Sequence, residues 1–298
     1  MNIVMLGHSA AGKTSYLSLM YAAMCDGVEG LTLGTADPAA HRSLVNGAGA
    51  ILRGSYPRAS DRRQAYEFVL RHQGADVFPF RWTDHRGGAL TELRSASAQA
   101  RQLHEDLVAA QGIVLFVDAL HLATDPEAPE AVRRLIVRVH QAVDAREETL
   151  TPLVIALTKT DLVDLGAPGG EERFVGPFLP LIEAVAGTRH IQGAFIPLVC
   201  GPEPENVVLP VLWTLRFGIL GRAMELSASI ERLVASAQYA DARDTVWDRI
   251  GSWWTDQPSW ASMRDRARAE AAGELARLQP LVAPADRLAE LLEDVLAF

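Results

Sequence analysis

Short apolar runs alternate with amphipathic stretches along the first two thirds of the chain. Ile3-Val4-Met5-Leu6 is apolar throughout and predicts a short buried strand over residues 2–6. A glycine-rich stretch follows, and residues 14–23 read as a helix. Residues 34–59 are rich in Gly, Ser, Ala and Pro without a strong period, which predicts loop with some helix. Residues 64–71 alternate, with Tyr66, Phe68 and Leu70 against Ala65, Glu67, Val69 and Arg71. That period of two predicts a strand. A turn at 73–76 and a second strand over 77–82 make it half of an antiparallel hairpin. Residues 90–110 read as a long helix, and 112–117 as a fully buried strand ending at Asp118. Residues 129–147 place Val132, Leu135, Ile136 and Val139 on one helical face. Strands at 153–157 and 195–200 and helices at 178–185 and 207–220 complete the pattern.

Strands that alternate with helices predict an α/β fold with a mostly parallel sheet and one antiparallel edge. From residue 221 onward no strand signal remains. Leu226, Ile230, Leu233 and Val234 make one apolar helical stripe, and Leu288, Leu291, Leu292 and Val295 another, with Pro280 and Pro284 expected to break the chain between helices. The expected organisation is one α/β domain over 1–220 and a helical C-terminal extension over 221–298. Trp247, Trp253, Trp254 and Trp260 cluster in that extension, as packing residues or as a docking patch for a partner or a second copy.

The 298 residues are 49% hydrophobic and 22% charged, the balance of a globular protein. A formal net charge of -9 argues against a nucleic-acid surface or an anionic membrane surface. No apolar stretch reaches the roughly 18 residues of a membrane span, and no targeting segment is visible, so a cytoplasmic location is expected. Cys25 and Cys200 are too few for a disulfide framework. The basic residues are less ordinary. Only two of the 28 are lysines, Lys13 and Lys159, and each falls inside a nucleotide-binding motif. A compact ammonium on a slim stem is not replaceable by a planar guanidinium there.

Gly7-His8-Ser9-Ala10-Ala11-Gly12-Lys13-Thr14 matches the phosphate-loop pattern G-x-x-x-x-G-K-[ST], with a strand before it and a helix after. Its glycines let successive N–H groups face phosphate oxygens. Lys13 is expected to reach the β- and γ-phosphates and Thr14 to ligate Mg2+. Ser15 is placed for the α-phosphate. Asp84-His85-Arg86-Gly87-Gly88 follows the hairpin. There Asp84 is expected to hold the metal through water, and Gly87 to offer its N–H to the γ-phosphate. Ser60, with Thr35 as second choice, is the hydroxyl expected to complete the metal shell. His85, Arg86 and His8 are the polar candidates for orienting the attacking water. Thr158-Lys159-Thr160-Asp161 follows the strand at 153–157. The Asp161 carboxylate can accept from guanine N1–H and its 2-amino group together, a pairing adenine cannot offer. Lys159 is expected to cover the purine and brace the glycine loop, and Cys200 and Gly201 to back the base.

This motif order resembles the Ras-like P-loop GTPases of the translation-factor class. The Pro57-x-x-Ser60 segment before the hairpin, Asp84-x-x-Gly87-Gly88 after it and Thr158-Lys159-x-Asp161 later resemble the bacterial double-GTPase group. The resemblance spans about residues 1–220. It implies a switch protein that binds GTP and GDP with Mg2+ and hydrolyses GTP slowly, stimulated by a separate protein partner or activator in a bacterial multi-protein system. Gly88 stands where Ras-like enzymes carry the water-orienting Gln. A non-hydrolysing guanine-nucleotide-binding regulatory module is therefore the alternative, and an ATPase a third. Homo-oligomerisation stays open.

Overall fold

The computed structural model describes residues 1–57, 63–85, 98–144, 149–243 and 260–298. Among the described residues seven strands form one sheet: β1 (Asn2–Gly7), β2 (Leu31–Gly34), β3 (Gln64–His72), β4 (Ala75–Asp84), β5 (Gly112–Asp118), β6 (Thr151–Thr158) and β7 (Ile191–Leu198). Their order is β2-β3-β4-β1-β5-β6-β7. Strand β3 is antiparallel to both its neighbours, and the pairings from β4 through β7 are all parallel. The hairpin turn is Gln73–Gly74, both at positive φ (52° and 82°), which is the two-residue turn that matches the twist of paired strands.

The parallel strands are apolar throughout because both faces are covered. On one face Val4, Leu6, Ile113, Leu115, Val117, Leu153, Ile155 and Leu157 meet three helices. These are α3 (Ala98–Ala109), α5 (Ala128–Asp144) and α7 (Leu179–Ala186), with α4 (Ala119–Thr124) and α6 (Gly170–Phe174) between them in the chain. Val132, Leu135, Ile136 and Val139 are all buried, as their spacing on α5 requires, each worth roughly 1.5–3 kcal/mol. A second cluster joins Leu19 of α1 (Lys13–Asp26), Ala48 and Ile51 of α2 (Pro38–Leu52), and Val207.

Helix α2 supplies the helix within 34–59, where the composition predicted loop with some helix, and the short strand β2 just before it was not expected. Asp37 caps α2 by accepting from Ala39 N at 2.8 Å, with Pro38 in the first turn. Leu44, Ala48 and Ile51 turn inward at helical spacing. Gly47, which lowers intrinsic helix propensity, sits where a Cβ would lie 2.8 Å from Ser18 Oγ of α1. Its small size permits the two helices to approach.

Two compact units result: Met1–Gly218 with Arg287–Phe298, and Ile219–Asp286. The last residues return to the first unit. Gly193 N donates to Phe298 O at 3.0 Å, and Phe298 N donates to Gly193 O at 3.0 Å, so the C-terminus pairs with the free edge of β7. The Phe298 ring occupies the place of a Cβ on Gly193. The second unit is helical, made from parts of α8 (Leu209–Arg243) and α9 (Trp260–Leu291), and buries Leu226, Ala237, Ala267 and Leu281. Pro280 and Pro284 do not break α9, contrary to expectation. Each removes one ladder hydrogen bond, but they are four residues apart on one side, and the helix continues. Trp247, Trp253 and Trp254 lie outside the described residues. Among the described residues no helix is long and apolar enough to cross a membrane.

Candidate functional site

The carboxyl ends of β1, β4, β5, β6 and β7 surround one cavity of about 410 Å³, the usual place for a ligand on an open parallel sheet. Its floor is the loop from β1 to α1. Gly7 (φ 155°) passes so close to β5 that a Cβ would lie 2.6 Å from Phe116 O, and Gly12 (φ 84°) and Ala10 (φ 64°) also take positive φ. Ser9 through Ser15 line the cavity. Helix α1 starts at Lys13, so its unpaired N–H groups and the positive end of its dipole open there.

Lys13 is buried, and Nζ donates to Gly7 O at 2.8 Å and His8 O at 3.2 Å. Burial pushes the ammonium below its ordinary pKa, while Asp84 opposes the shift. Asp84, at the end of β4, is only 4% exposed, and its Oδ1 has no hydrogen-bond partner. Burial raises its carboxyl to about 6, with Lys13 acting against the rise. A buried carboxylate with an unpaired oxygen beside a phosphate loop fits a divalent cation, directly or through water.

The other end of the cavity is made by β6 and β7. Lys159, Asp161, Leu162, Cys200 and Gly201 line it. Lys159 adopts φ 58°, an unfavourable conformation for a side-chain-bearing residue. Its Nζ pairs with Asp118 Oδ2 at the end of β5, while Asp118 Oδ1 accepts from His121 N at 3.1 Å. The brace on the glycine loop is Thr158 rather than Lys159. Fully buried, Thr158 Oγ1 donates toward Ala11 O at 3.1 Å and Val117 O at 3.2 Å. Burial, then the Asp161 charge, push the Cys200 thiol up to about 12, so it stays a neutral thiol beside that carboxylate.

Most residues expected from the sequence thus meet in one place: the loop from Ser9, with Lys13, Thr14 and Ser15, then Asp84 and His85, then Thr158, Lys159, Asp161, Cys200 and Gly201. Gly7 shapes the loop from beneath. His8 is not among the lining residues; its ring Nε2 is buried without a partner, and burial lowers its pKa. Thr35 is also absent from the lining, and its Oγ1 accepts from Asp37 N at 3.2 Å at the start of α2. Ser60, Arg86 and Gly87 lie outside the described residues. The structure adds Tyr56, Pro57, Leu120 and Leu162 to the lining. Tyr56 Oη comes within 3.3 Å of where a Cβ on Gly201 would stand. An aromatic residue just after α2 was the available signal for it.

The family model for Double-GTPase 2 matches residues 2–176. No curated protein matches. Among solved structures, the signal recognition particle receptor SRb-GTP/SRX complex from Chaetomium thermophilum is similar at 13% identity and a TM-score of 0.42, over 72% of this chain and 96% of that one. With the phosphate loop at one end of the cavity and the Thr158–Asp161 motif at the other, the chain belongs to the double-GTPase 2 family and is a guanine-nucleotide-binding protein.

Proposed function

We propose that this protein is a molecular switch that binds GTP and GDP with Mg2+ and hydrolyses GTP slowly, with a partner protein accelerating the reaction. The observation that carries the reading is the single cavity that joins the Lys13 loop to Asp161. Its two ends suit the two ends of a nucleoside triphosphate. The loop N–H groups and Lys13 hold phosphate oxygens and stabilise charge that develops on them. Asp161 reads the guanine edge, Lys159 lies against the base under the hold of Asp118, and Cys200 and Gly201 close the site behind it. Thr14, Asp84 and Ser60 are the residues that would hold Mg2+. When bound, the ion supplies positive charge to the phosphates and polarises them. His85, Arg86 and Gly87 are assigned to the reacting end, with His85 orienting water and Gly87 N–H meeting the terminal phosphate. We assign the switch to a cytoplasmic bacterial multi-protein system, a reading supported by the resemblance to the double-GTPase group, with its activator as the natural source of a further cation.

Single-turnover cleavage of GTP tests the reading, with Lys13→Ala as control. Wild type should cleave faster than Lys13→Ala, and faster again with its partners present. If the two proteins are equal even with partners, the chain is a binding module without hydrolysis.

A further inference from the structure

Next to the reacting end lies a charged cluster that nucleotide binding does not use. His85 follows Asp84, lines the cavity, and has a side chain only 6% exposed. Its Nε2 stands 2.9 Å from Asp106 Oδ2 on α3. Arg63, immediately before β3, brings NH2 to within 2.7 Å of the same oxygen. Asp106 is 15% exposed, and Arg63 is 43% exposed. The imidazole approaches off the ideal N–H direction, so the contact is a close ion-pair approach rather than a formed hydrogen bond, and neither Nε2 nor Oδ2 has a hydrogen-bond partner. A buried His–Asp pair of this kind is a poor device for stability. Desolvation of both groups offsets much of their attraction, and an apolar pair of similar volume would serve packing at least as well.

We propose that Asp106 is a positioning residue for GTP hydrolysis: it holds the His85 ring by Nε2, so that Nδ1 accepts a hydrogen bond from the attacking water. The assignment rests on the hydrolysis reading above and deepens it. In a neutral imidazole only one nitrogen carries a proton. A carboxylate that takes Nε2–H commits that proton and leaves Nδ1 as the acceptor, and the third group of an orienter chain performs this service in many hydrolases. Arg63 shares the carboxylate and holds it from the β3 side. Lys13 and Asp84 are the other charges near the ring. Lys13 acts on His85 through space, and Asp84 is its chain neighbour. Neither occupies Nε2. The pair also supplies what Gly88 lacks, a polar side chain that can hold water beside the phosphate loop.

The test is single-turnover GTP cleavage together with GDP affinity, for wild type, Lys13→Ala, His85→Ala, Asp106→Ala, Asp106→Asn and the His85→Ala/Asp106→Ala double variant. His85→Ala and Asp106→Ala should each slow cleavage on the order of 10- to 100-fold, with GDP affinity held within about twofold. Asp106→Asn should recover part of the rate, because its amide oxygen still accepts from Nε2–H. The double variant should be no slower than His85→Ala alone, since the two residues act as one unit. A purely structural pair would lower stability and leave the cleavage rate of folded protein unchanged. That outcome, or additive losses in the double variant, overturns the assignment. Nitrogen-15 shifts of His85 in the GDP-bound wild type give an independent readout should Asp106→Ala fail to fold. A protonated Nε2 with a bare Nδ1 supports the assignment, and the opposite tautomer overturns it. If wild type cleaves no faster than Lys13→Ala, the hydrolysis reading falls and the role of Asp106 falls with it. If wild type cleaves and Asp106→Ala matches it, only the role of Asp106 falls.

Discussion

Replacing Asp84 by Asn should make the nucleotide-free protein more stable at pH 8. In the fold this carboxyl is nearly fully buried with Oδ1 unpaired, and it rises from an ordinary 3.8 to about 6. A rise of that size disfavours the ionised, folded state by about 3 kcal/mol at pH 8. The sign follows from linkage. The folded state binds the proton more tightly than the unfolded state, so the contribution to stability is fully present below pH 3.8. It is lost as pH rises through about 6 and is flat above that. Asn carries no charge to desolvate, but it buries an amide with an incomplete set of partners, at a cost of about 1–2 kcal/mol. The net gain at pH 8 is therefore roughly 1–2 kcal/mol. It should shrink toward zero or reverse near pH 5, where the wild-type carboxyl is largely protonated. Urea unfolding of both proteins at pH 8 and pH 5, without nucleotide or metal, measures it. Adding GDP and Mg2+ should invert the order, because the wild-type carboxylate then has a cation to face. A loss of stability in Asp84→Asn at pH 8 without ligand would instead make Asp84 a structural residue whose ionised form stabilises the fold.

Three further outcomes follow from particular contacts. Asp161→Asn should weaken GTP on the order of a hundredfold and improve xanthosine triphosphate, whose 2-oxo group accepts what an amide N–H donates; competition binding of the two reads it. Asp118→Ala releases the Lys159 ammonium from its carboxylate and should lower GDP affinity about tenfold, measured by calorimetry with wild-type stability as reference. Gly193→Ala pushes a methyl group into the Phe298 ring and should cost about 1–3 kcal/mol in urea unfolding; most of the loss should disappear in a Phe298→Ala background.

The parallel strands were legible because burial on both faces leaves an unbroken apolar run, as in Ile113 to Val117. The stripe on α5 was legible because one face only is buried. Helix α2 was obscured by its own packing: Gly47 lowers helix propensity locally, and its reason, contact with Ser18, is a tertiary one. The Asp37-Pro38 start signal was present and was outweighed by composition. The prolines of α9 misled in the opposite direction, since two losses on one face are tolerated where a break was expected. In the site, motif spacing identified both ends of the cavity. It could not show that Thr158 rather than Lys159 braces the loop, because that depends on where the two side chains point at the end of β6. Nor could it bring Asp106 to His85, since the contact is made by tertiary packing and α3 carries no motif.

In the proposed function one cavity reads a guanine base at Asp161 while Lys13 holds the phosphates. Competition between GTP and ATP for the wild-type protein, in the presence of Mg2+, tests this most directly. GTP should win on the order of a hundredfold or more. Equal binding, or a preference for ATP, would contradict it.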